Sequence, residues 1–110
     1  MAAAPPAHNP VLTENGEVRA SKVIGSTVYN DQNQSIGTVD DILLTKDHKA
    51  DKVILSVGGF LGIGNKLVAE NYDRLQFNEK LEGNTARVIM PGASKDALKN
   101  MQEFRYVSSD

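Results

Sequence analysis

The residues of this chain best placed to do chemistry are the glycines and the cation of Val57-Gly58-Gly59-Phe60-Leu61-Gly62-Ile63-Gly64-Asn65-Lys66. A phosphate loop reads Gly, four residues, then Gly-Lys-Ser/Thr, so that backbone N–H groups and the lysine converge on the anion. Gly59 and Gly64 have that separation, but Asn65 intervenes before Lys66 and Leu67 stands where the hydroxyl belongs. The following segment has strand character, so no helix N-terminus completes a phosphate site. The three-glycine spacing of a dinucleotide fingerprint is missing as well.

With phosphate set aside, two readings of Gly58, Gly59, Phe60, Leu61, Gly62, Ile63, Gly64 and Lys66 remain. One is a hairpin connection whose glycines permit close backbone approach. The other is an interaction loop, because Phe60, Leu61 and Ile63 are too apolar for a solvated turn. In that reading Lys66 stands at the rim of the contact.

Asp31-Gln32-Asn33-Gln34-Ser35 spaces oxygen groups like the opening of a calcium loop. Ile36 replaces the tight-turn glycine and Ile42 the bidentate glutamate, which leaves an acidic turn. Asp40 and Asp41 would point to opposite faces of a strand. One is expected in a bulge and the other in solvent, rather than as a catalytic or metal-binding pair. His8 lies in a proline-rich arm and His48 in a charged turn, and there is no cysteine. No nucleophile-plus-base set assembles from these residues. The expectation is a protein that is not an enzyme and uses neither cofactor nor metal.

The totals narrow the classes further. A chain of 110 residues makes one domain. Net charge is −2 with scattered cations, and three Tyr and three Phe supply few stacking surfaces. Direct nucleic-acid binding is therefore not expected. No apolar run approaches the ~18 residues of a membrane span, and the N-terminus lacks the pattern of a secretory signal. Ala2 to Ala7 would also suit the start of a mature exported chain, so cytoplasm and periplasm both stay open.

The elements that must position these residues are short. Residues 1–19, with Pro5, Pro6 and Pro10, read as a flexible arm that Val11 and Leu12 pin at one point. Asn15-Gly16 has turn chemistry, but its flanks barely alternate, so only a weak hairpin is expected there. Ser21 to Gly25 predicts a turn of helix capped by Ser21 and ended by a left-handed Gly25. Strands are predicted at 27–29, 36–44, 51–57, 67–69, 76–77 and 85–90, with polar turns between them. An unbroken strand over 36–44 would put Asp40 on the Ile36 face, so a bulge near Asp40-Asp41 is expected. Ile54 interrupts an otherwise polar outer face, which predicts cover on that side. Ser94 caps a helix to about Met101 with Ala97, Leu98 and Met101 on one face. Phe104, Tyr106 and Val107 of the tail could then add to the core. The pattern is mainly β: a small six-stranded barrel with a short C-terminal helix over residues 20–107, and a tail at 108–110.

Taken in order, Ala20-Ser21-Lys22-Val23-Ile24-Gly25, Val28-Tyr29-Asn30, Ile36 to Asp41, the Val57–Gly64 stretch and Phe104-Arg105-Tyr106 resemble the PRC-barrel family over about residues 20–106. That family includes the H subunit of photosynthetic reaction centres and the C-terminal half of a ribosome maturation factor. The resemblance implies a compact six-stranded β-barrel and points to the stand-alone bacterial branch with the Gly-Gly-Phe-Leu-Gly-Ile-Gly loop. A transmembrane helix ahead of the barrel, or a second preceding barrel, is not expected, so neither specific job carries over. Fold analogy does not assign function. The resemblance implies a non-enzymatic protein-protein interaction or assembly module, expected to bind a protein partner or itself as a homodimer. Two alternatives follow by analogy: an RNA- or ribosome-associated accessory factor, and an accessory domain of a photosynthetic electron-transport complex.

Overall fold

Short β-branched runs between turn residues become six strands of one sheet. The computed structural model describes residues 11–60 and 64–107. A helical turn α1 (Ala20–Val23) leads into β1 (Thr27–Tyr29), β2 (Ser35–Leu44), β3 (Ala50–Phe60) and β4 (Gly64–Asn71). A 3-10 turn at Tyr72–Arg74 joins β4 to β5 (Gln76–Glu82), followed by β6 (Thr85–Ile89) and the helix α2 (Lys95–Lys99). The strand order is β4-β3-β2-β1-β6-β5, antiparallel except where β1 lies parallel to β6. Val68 of β4 and Phe77 of β5 lie at opposite ends of that order yet share one core with Val28, Val39, Leu55 and Val88. The sheet is therefore rolled around its apolar face.

Bulges provide the roll. Val39 pairs with Leu55 and Asp41 with Ile54, which leaves Asp40 as the extra residue. A second irregularity lies where Val28 faces Gly37 and Tyr29 faces Ser35, leaving Ile36 between them. Each bulge shifts side-chain parity by one residue. Ile36, Val39 and Ile42, three apart in sequence, consequently all meet the core. The bulge expected near Asp40-Asp41 is present.

Several expectations need correction. Residues 11–19 join the fold: Val11 is 1% exposed within the core, and Leu12 bridges Val18 across the Thr13–Gly16 turn. Residues 11–19 of the arm expected over 1–19 are thus part of the barrel, since one anchored valine outweighs the surrounding turn residues. Helix α1 starts after Arg19 and has no side-chain cap from Ser21, although Gly25 takes the expected left-handed exit at φ +89°. Strands β4 and β5 outrun the predicted 67–69 and 76–77 because pairing with β3 and β6 extends through their polar residues. Ser94 does cap α2, its Oγ accepting from the Ala97 N–H at 3.1 Å. Of the predicted apolar face, Leu98 enters the core, Met101 packs against it and Ala97 stays exposed.

Candidate interaction site

The described residues of the glycine stretch lie in the end of β3 and the start of β4. Described pairing of β3 with β2 ends at Thr38–Ser56, while β3 and β4 continue through Val57–Lys66 to Phe60–Gly64. The hairpin thus extends past the six-stranded sheet as a two-stranded ribbon. Gly58 faces the Asn65 side chain across the ribbon, and a Cβ there would require Asn65 Oδ1, 2.5 Å away, to shift. Gly59, Phe60 and Gly64 are placed by their backbone in the two strands. Leu61, Gly62 and Ile63, at the centre of the expected contact, lie outside the described residues.

Lys66, expected at the rim of a contact, makes a bond within the barrel. Its Nζ donates to the carbonyl of Lys99 at 2.7 Å, at the C-terminus of α2. A cation there satisfies an orphan carbonyl of the last helical turn. Lys66 therefore ties the ribbon's base to α2.

The other chemical candidates resolve into local structure. Asn30 is buried, and its Oδ1 accepts from the N–H groups of Gln32 and Gln34, each at 3.0 Å. Asp31 Oδ2 accepts from the Gly92 N–H at 3.1 Å. The loop that resembled a calcium site therefore uses these oxygens on its own turn and on the Pro91-Gly92 corner. Among the described residues, no three His, Cys, Asp or Glu side chains are grouped to hold a metal.

The bulge separates Asp40 from Asp41 and gives each its own donor. Asp41 Oδ1 accepts from the Ile42 N–H at 2.8 Å, and Asp40 Oδ2 accepts from the Tyr106 hydroxyl at 3.0 Å. Tyr106 belongs to a C-terminal strap that composition alone did not locate. The Phe104 N–H donates to the Leu67 carbonyl on β4 at 2.7 Å, and the rings of Phe104 and Tyr106 meet edge to face at 5.0 Å. The strap therefore runs from β4 to the bulge of β2.

Ile54 of β3 lies under that path. Its cross-strand neighbours are Asp41 on β2 and Ala69 on β4. Ala69 lines a groove with Met101 to Arg105. Ile54 is 0% exposed although it stands outside the main core. The strap, tied to Leu67 and Asp40 and lining the groove with Ala69 beside Ile54, supplies cover on the side where Ile54 predicted it. Phe104 and Tyr106 thus pack outside the sheet rather than adding to the core, and Val107 is 95% exposed. The available signal was the apolar Ile54 on a polar face together with an alternating Phe-Arg-Tyr.

A family model described as the PRC-barrel domain matches residues 10–88. The chain belongs to the PRC-barrel family. The match includes Val11, in keeping with its place in the barrel's core. It ends before α2 and the strap, so those features of this PRC barrel stand outside the matched region. A search of curated proteins found no match. No helix among the described residues is long and apolar enough to cross a membrane.

Proposed function

We propose that this PRC barrel is a non-enzymatic interaction module that self-associates as a homodimer. The observation that carries this reading is the β3–β4 ribbon, which continues past the last described β2 pairing and carries Phe60, Leu61 and Ile63 at its far end in sequence. Two strands without a third neighbour bury little of their own apolar surface. Apolar side chains on such an extension are stabilised by a partner surface. Ile24 and Leu44 add exposed apolar surface elsewhere on the barrel.

Phe60→Asp is expected to weaken self-association by about 2 kcal/mol, roughly 30-fold in Kd. Sedimentation equilibrium reads the association, and circular dichroism checks that the barrel remains folded. Wild type and variant that are equally monomeric would remove the reading. Unfolding of the variant would assign Phe60 to the barrel's own packing instead.

A further inference from the structure

The strap and the face beneath it have the properties of a ligand seated in its site. An extended segment makes one backbone hydrogen bond to a strand, through the Phe104 N–H and the Leu67 carbonyl. It also carries an edge-to-face aromatic pair, of which Phe104 shares a groove with Ala69, and anchors its far end by the Tyr106 hydroxyl on Asp40. Ala69, the cross-strand neighbour of the buried Ile54, lines the groove beside Phe104 between those anchor points. Main-chain bonding with pockets for alternate side chains is how sheets recognise extended peptides.

The attachment to the barrel is slight. Helix α2 ends at Lys99, and Gln102 and Glu103, which connect it to the strap, are exposed. Among the described residues, Phe104–Leu67 is the strap's one backbone bond to the sheet. A rotation in the connector would carry the strap to another molecule, where every contact could be remade unchanged. Exchange of an identical element is a low-cost route to a dimer, because the closed monomer already demonstrates the fit.

The far end of the strap also offers surface that only a second molecule would cover. Tyr106 is 44% exposed and Val107 95% exposed. Beside them, Gly25 donates to the carbonyl of Val39, the residue before Asp40, which brings the 41%-exposed Ile24 to the same bulge. Exposed apolar residues from two separated parts of the chain, Ile24 and Tyr106-Val107, are therefore tethered to the same bulge.

We propose that the outer face of β2–β4 is a docking site for an extended Phe-x-Tyr segment, and that in the dimer it receives residues 102–107 of a second copy. This rests on the self-association inferred above but assigns it a different surface from the ribbon. Contacts of Phe104 with Leu67 and of Tyr106 with Asp40 then form between copies, and Ile24 and Val107 are covered by the closing pair.

The absence of cysteine from the chain makes a direct test available. Ala69 and Arg105 line the same groove, and neither supplies an anchoring contact of the strap. Full-length Ala69→Cys and Arg105→Cys chains are mixed, refolded together, concentrated and treated with a short bis-maleimide. Sedimentation of the untreated protein distinguishes monomer from dimer. The expected result is a 69–105 linked peptide between the mixed chains at concentrations where untreated protein sediments as a dimer, and its loss at dilutions where untreated protein is monomeric. The double variant in one chain, at high dilution, should link internally and so confirms that the pair is within reach. A dimer without the 69–105 link would overturn strap exchange while leaving self-association through the ribbon intact. A chain that stays monomeric at every concentration would overturn both.

Discussion

Two tyrosines hold the two halves of this sheet in contrasting ways. Tyr29, on β1, donates its hydroxyl to both carboxylate oxygens of Glu82 on β5, each at 2.9 Å. Arg87 of β6 also reaches Glu82, at 3.0 Å, stacks over the Tyr29 ring at 3.8 Å and bonds Asn33. Every member of that cluster touches at least one other, and all sit on or beside consecutive strands of the sheet. Tyr106 instead donates to one acid, Asp40, from the end of a strap. The first arrangement survives loss of one contact because others hold the same groups. In the second, one hydroxyl and one backbone bond share the work with apolar packing. Redundancy marks the first half and economy the second, which is the half the proposed exchange would use.

The contrast is tested most strongly under the strap. Ile54→Ala should destabilise the barrel by about 2–4 kcal/mol, because a fully buried isoleucine loses both its transfer energy and its packing. Urea denaturation reads the change. A loss below about 0.5 kcal/mol, the scale of an exposed site, would mean that the strap does not seal the outer face. On the other half, Arg87→Ala should cost about 1 kcal/mol, since the ion pair and the cation–π contact are both partly exposed. A double-mutant cycle with Glu82→Gln should show coupling of about 0.5 kcal/mol. Strict additivity would show that the cluster is not a unit.

The sequence revealed the inner face of this barrel more fully than its outer one. Val53, Leu55 and Val57 follow simple alternation, and the parity conflict at Asp40 disclosed a bulge that the pairing of β2 with β3 confirms. Periodicity works there because one face is dry and the other wet. It failed at the ends of β4 and β5, where Glu70, Asn78 and Glu82 sit in strands by virtue of their partners rather than their own propensity. The strap was half visible. Ile54 announced that something covers it, but which segment does so depends on where α2 delivers the chain. The tie from Lys66 was invisible for the same reason, since its acceptor, the Lys99 carbonyl, lies 33 residues further on.

The smallest expected effect is the most specific to the strap. Tyr106→Phe removes one hydroxyl at a half-exposed site and should cost about 0.5 kcal/mol, the low end for a hydrogen bond. Alkaline titration sharpens this. Burial, then the hydrogen bond to Asp40 and the negative charges of Asp40 and Asp41, push the Tyr106 phenol up to about 12. The ordinary value, about 10, applies once the chain unfolds. Because the folded value is the higher one, the neutral phenol favours the closed strap. Its contribution is complete below pH ~10 and is lost as pH rises through the folded value. Tyr29 is also raised, chiefly by its hydrogen bond to Glu82, but Arg87 opposes that shift. Absorbance of the phenolate should therefore show a late component near pH 12 that Tyr106→Phe removes and Arg87→Ala leaves in place. If the late component survives Tyr106→Phe, the Asp40 tether does not hold the strap in solution, and the two halves of the sheet differ less than their contacts indicate.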